Sequence, residues 1–153
     1  IHQRYPYWQL QLYGGYGEEH DRLLPVIKHM QANIVVNDPT PDIFNRYKEN
    51  SILLLTSRFE PFGLVLPEAM SCGLPVVAFD CPYGPADIIS DRNDGFLVHD
   101  RSEEEFVEKV CLLMENSGLR QRMGQAGILS SQRYKADRIL PFWKELFEHL
   151  SRK

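Results

Sequence analysis

With 153 residues, 43% hydrophobic and 25% charged, the chain has the composition of one soluble domain large enough to bury a substantial core. Its net charge of −4, with Lys and Arg scattered rather than gathered in a stripe, argues against a general nucleic-acid binder. No apolar run approaches the roughly 20 residues of a membrane-spanning helix, and the start carries no secretory pattern.

The first predicted element is a short alternating strand, Gln9 to Tyr13, running into Gly14, Gly15 and Gly17. Those glycines lack dinucleotide-binding spacing and read as a tight strand-to-helix turn. A helix follows over Glu18 to Met30, acidic in its first turn, with Leu23, Leu24, Ile27 and Met30 on one face and Pro25 expected in the early turns or at a kink. Asn33 to Val36 is the next strand, Asn37 to Thr40 its loop, and Asp42 to Glu49 a short helix.

Ser51 to Thr56 is an uninterrupted apolar run, as expected of a strand buried on both faces, and Val76 to Phe79 is another. Between them Leu64 to Cys72 has helical spacing. Pro67 lacks an N–H and so belongs in the opening turn, which puts the helix start near Gly63 or Leu64; Gly73 is the left-handed stop. Asp80 to Ile89 is a proline-rich connection unsuited to helix or strand, Asp91 to Gly95 a turn and Phe96 to Val98 the last strand. The remainder is helical: Ser102 to Glu115, opened by a capping-box pair of Ser102 and Glu105, then Leu119 to Arg133 and Asp137 to Leu150. The last helix carries an apolar stripe of Ile139, Leu140, Trp143, Leu146, Phe147 and Leu150, a pattern that usually marks core.

Strands alternating with helices predict an α/β fold, a doubly wound Rossmann-like parallel sheet, whose ligands bind beyond the carboxyl ends of the strands. Asn37, Glu60, Glu68 and Tyr83 all lie at such ends. Glu60 is on the loop entering the central helix and Glu68 about one turn into it, beside unpaired N–H groups to which Gly63 permits close approach. Such a terminus suits phosphate. Glutamates repel phosphate, so their natural partners are hydroxyls on either side of it, the layout of a sugar nucleotide. Each glutamate has the plainer alternative of a solvated side chain.

The stretch Arg58 to Gly73, RFEPFGLVLPEAMSCG, resembles the signature of the retaining glycosyltransferases of family 4, the group 1 glycosyl transferases of GT-B architecture. The resemblance rests on Ser57, Phe59, Glu60, Pro61, Phe62, Gly63, Glu68, Ala69, Met70, Gly73, Pro75, Val76 and Val77, and extends from Trp8 to Leu150. It implies transfer of a sugar from a UDP- or GDP-linked donor to a glycan or lipid-linked acceptor, with retention of configuration and without metal or other cofactor. In its terms Glu60 is the catalytic residue that binds the donor sugar's hydroxyls, and Glu68 binds the ribose. Backbone N–H groups of Phe62, Gly63 and Leu64 hold the leaving diphosphate, and Arg58 is a candidate extra cation. The loop from Val36 to Pro39, Asn37 included, lies near the base, and Tyr83 and Gly84 face the donor sugar.

The resemblance also implies that parts are missing. The family's nucleotide domain opens with a strand-helix unit bearing an Arg and a Lys that neutralise the diphosphate, and neither matches here. The acceptor-binding N-terminal domain is likewise without a counterpart. The chain is therefore expected to be one domain, a partial C-terminal nucleotide-sugar-binding domain of a larger enzyme, inactive and weak in donor affinity alone. Without the first strand, the strands at Gln9 and Ser51 must close up directly, or another molecule must complete the sheet. The final helix is expected to pack on the absent domain, which would also mediate any peripheral membrane association.

The three cysteines, Cys72, Cys81 and Cys111, are odd in number and lack CxxC spacing, which suggests reduced thiols in a cytoplasmic setting. The five histidines form no pair with ligand spacing, and no metal site is expected. A nonenzymatic sugar-nucleotide-binding module and a sugar-nucleotide epimerase are the alternative functions.

Overall fold

The computed structural model describes residues 1–152. The chain divides into two compact units, Ile1–Ile43 and Phe44 onward.

The first unit holds β1 (Leu10–Tyr13), α1 (Glu18–Met30) and β2 (Ile34–Asn37). The two strands pair in parallel, Leu10 beside Ile34 and Tyr13 beside Asn37. Helix α1 runs unbroken through Pro25 and ends at Gln31 in the left-handed conformation. None of its residues is buried. Residues 1–7 form turns, not a strand, with the N–H groups of Arg4 and Tyr5 both bonded to the Ile1 carbonyl.

Helix α2 (Ile43–Glu49) leads into the second unit, which contains β3 (Leu53–Leu55), α3 (Val65–Ser71), β4 (Val76–Phe79), α4 (Pro85–Ile88), β5 (Gly95–Val98), α5 (Glu103–Glu115), α6 (Ser117–Ser131) and α7 (Ala136–Ser151). Its strands form a parallel sheet of order β3-β4-β5, with Leu53 beside Val76 and Val76 beside Gly95. Every residue of β4 and β5 is buried, which is why both read as unbroken apolar runs. Among the described residues the strands pair as two parallel sheets, β1-β2 in the first unit and β3-β4-β5 in the second, within the α/β class expected.

Helix α3 packs against β3, β4 and α6, and α5 against β4 and β5. Leu66, Ile88 and Leu113 are wholly enclosed. Each such side chain contributes about 1.5–3 kcal/mol of transfer free energy. Helix α6 approaches α3 closely because Gly124 has no side chain: a Cβ there would lie 2.1 Å from the Gly73 carbonyl oxygen. Gly73, at φ 82°, ends α3 as expected, and the Leu74 N–H reaches back to the Ala69 carbonyl in a Schellman closure. The Ser102 hydroxyl caps α5 by accepting from the Glu105 N–H at 3.2 Å.

The sequence expectation fails at α4. Residues Pro85–Ile88 form a turn of helix in what reads as a helix-free connection, because proline at the first helical position has no N–H to lose. The stripe on α7 is not core within this chain, since no residue of that helix is buried. No helix among the described residues is long and apolar enough to cross a membrane.

Candidate functional site

Two loops at the carboxyl end of the second sheet carry most of the predicted site residues. The first leaves β3 at Leu55 and enters α3. The Ser57 hydroxyl donates to Glu60 Oε1 at 2.6 Å, which fixes one oxygen of that half-buried carboxylate. Gly63 turns the chain at φ 85° and is itself buried. The Leu66 N–H closes the turn on the Gly63 carbonyl at 2.9 Å. The N–H groups of Phe62, Gly63 and Leu64 have no acceptor among the described residues. They surround the start of α3 with unspent donors.

Glu68 lies in the first turn of α3, flanked by the buried Pro67 and Ala69. Its Oε2 accepts the Tyr47 hydroxyl at 3.1 Å. Tyr47 is the buried residue of α2, set edge-on to Phe44 at 6.0 Å. Its phenol is pushed well above the usual tyrosine range, by burial first and then by the charge of Glu68, so it stays a donor. Both glutamates are therefore arranged alike. A protein hydroxyl holds one carboxylate oxygen, while Glu60 Oε2 and Glu68 Oε1 take no hydrogen bond from the described residues.

The second loop follows β4. Tyr83 has φ 68° and lies 70% exposed, its ring edge-on to Phe59 at 6.5 Å. Gly84 is buried beneath it, and a Cβ there would lie 2.2 Å from the Phe62 carbonyl oxygen. Only glycine permits this contact between the two loops. The end of α4 is pinned in turn by Arg133, which donates to the carbonyls of Asp87 and Ile88 at 3.0 and 2.7 Å. Tyr134 bonds the Asp87 carbonyl at 3.2 Å and sets its ring against Phe62 at 5.5 Å. Cys81, buried between the loops, has its thiol raised by desolvation and by the charge of Glu60, with the Glu60 N–H pulling the other way.

The second unit thus gathers Glu60, Phe62, Gly63, Leu64, Tyr83 and Gly84 on neighbouring loops and Glu68 on the first turn of α3. Arg58 is exposed there. Asn37 belongs to the first unit, where it ends β2 and its side chain reaches the Leu12 carbonyl at 3.5 Å. Tyr47, Arg101, Arg133 and Tyr134 are the residues sequence reasoning missed. A tyrosine on the inward face of a short helix was the one available signal.

The model of the family described as glycosyl transferases group 1 matches residues 2–129. The amylovoran biosynthesis glycosyltransferase AmsD of Erwinia amylovora is 36% identical over 141 residues, 91% of this chain and 39% of that protein. The poly(ribitol-phosphate) alpha-N-acetylglucosaminyltransferase of Staphylococcus aureus is 30% identical, over 87% of this chain and 28% of its own length. Among solved structures, the pneumococcal O-GlcNAc transferase GtfA in complex with UDP and GlcNAc superposes with a TM-score of 0.88 at 27% identity, covering 99% of this chain and 31% of that one. The chain thus spans less than half the length of each relative.

Proposed function

Since the chain belongs to the glycosyl transferases group 1, we propose that its second unit is one wall of the donor site of a transferase that moves a sugar from a nucleotide donor to a surface-glycan or lipid-linked acceptor, with retention of configuration. The supporting observation is the matched state of the two carboxylates, each tethered through one oxygen and open at the other. An oriented carboxylate with a spare oxygen is suited to accept hydrogen bonds from sugar hydroxyls. Glu60 takes hydroxyls of the transferred sugar and Glu68 those of the ribose.

The diphosphate lies between them, against the N–H groups of Phe62, Gly63 and Leu64. These donors are in place before charge develops on the departing oxygen, so they stabilise the transition state without reorganising. A nucleoside diphosphate is already a good leaving group, so neither glutamate need act as the protonating acid of a glycosidase. The cation or cations that share this duty, the acceptor pocket and the first unit's contact with the base through Asn37 belong to the whole protein. Turnover is proposed to need no metal and to survive a chelator. The UDP in the GtfA complex supports a uridine donor, with UDP-N-acetylglucosamine the first to test.

The test is the rate of UDP release from UDP-N-acetylglucosamine by the intact protein, with and without EDTA. Losing a transition-state hydrogen bond of this kind costs about 100-fold or more in kcat, the loss expected for Glu60→Ala. Glu68→Ala is expected to raise the donor KM about tenfold or more, the worth of a hydrogen bond to a charged group. Wild-type rates in Glu60→Ala would remove that residue from the reaction, and tight donor binding with no turnover in the wild type would favour a binding module.

A further inference from the structure

We propose that Arg101 is a positioning residue for Glu60, acting through the carbonyls of the β3–α3 loop. This rests on the donor-site role given to Glu60 above. The guanidinium donates to the Ser57 carbonyl at 2.8 Å and to the Thr56 carbonyl at 3.2 Å, two successive acceptors where the chain leaves β3. The same Ser57 holds Glu60 Oε1. The flat face of the guanidinium rests on Phe79 at the end of β4, 4.6 Å from the ring centroid, and that ring packs on Phe106 of α5 at 4.5 Å. Arg101 therefore links the ends of β3, β4 and β5 and holds the first turn of the loop against the core.

The backbone at this point is strained. Asp100 and Arg101 both lie in the left-handed region, at φ 52° and 51°. Aspartate tolerates that conformation but arginine has no preference for it. Strain of this kind persists where surrounding contacts over-determine it. Here the contacts are the two carbonyls and the ring, which between them need a planar head with several donors. Lysine offers a single point charge and no flat face, so it cannot replace arginine at this site.

The test uses the intact protein with Arg101→Lys, Ser57→Ala and their combination. Hydrogen–deuterium exchange of the Glu60 and Leu66 amides, which bond to Cys81 and to the Gly63 carbonyl, is expected to speed by about tenfold in Arg101→Lys while β4 keeps its protection. In UDP release, kcat is expected to fall about tenfold at an unchanged donor KM. The double variant should be no slower than the worse single one, as for residues acting in one chain of contacts. Arg101→Gly relieves the left-handed strain while removing the clamp, so it supplies a folded variant in which the same loop-confined gain in exchange is expected. Unchanged loop exchange overturns the clamp, and multiplied losses in the double variant overturn its action through Ser57. If the loop loosens but Glu60→Ala keeps wild-type turnover, the role assigned to Glu60 fails while the clamp stands.

Discussion

Each glutamate of the site depends on a residue from elsewhere in the chain, Glu68 on Tyr47 directly and Glu60 on Arg101 through Ser57. Glu60 and Glu68 stand out in the sequence because their neighbours in the chain form a dense local pattern, and Ser57 belongs to the same pattern. Tyr47 meets Glu68 across 21 positions and Arg101 meets Ser57 across 44, so neither partnership leaves a local trace. The Tyr47 hydroxyl carries two expectations. Losing a hydrogen bond to a charged group costs about 1.5–3 kcal/mol, so Tyr47→Phe should raise the donor KM about tenfold while kcat holds, as steady-state kinetics can check. The second concerns alkali. The phenol is raised in the folded state above its ordinary value of 10.0, so its contribution to stability is complete below pH 10.0 and is lost as the pH climbs past it. Urea titrations between pH 9 and 11.5 should therefore show the wild type losing stability more steeply than Tyr47→Phe.

Among the elements, the two loops act as one body because Gly84 lies directly on the Phe62 carbonyl. Gly84→Ala brings both a backbone clash at 2.2 Å and a left-handed strain at φ 83°. It should cost about 2 kcal/mol or more by denaturant titration and reduce turnover by freeing both loops. The elements themselves were largely legible. Periodicity placed the strands and helices, and caps such as Ser102 and Gly73 set their ends to within a residue or two. Pro85 misled because a proline also marks a helix start, and nothing in Asp80 to Ile89 shows that Arg133 waits 46 positions away to receive the end of that turn.

Over the whole chain, the sequence supported the α/β class through the order of its elements but not the division of the strands into two sheets. Pairing is a long-range property, and apolar runs such as β3 and β4 do not name their neighbours. The α7 stripe shows the same limit. Its spacing reads as core, yet Trp143 is 52% exposed and Phe147 60%. Because α7 buries no residue, a chain ending at Lys135 should melt within a few degrees of the longer one in thermal denaturation. A collapse of the second unit on that truncation would mean that α7 supports it after all. The most direct measurement of the site is a crystal structure of the intact protein with UDP-N-acetylglucosamine. The predicted result is the ribose on Glu68 Oε1, the hexose hydroxyls on Glu60 Oε2 and the diphosphate against the N–H groups of Phe62 to Leu64. A donor seated away from both carboxylates would contradict the account.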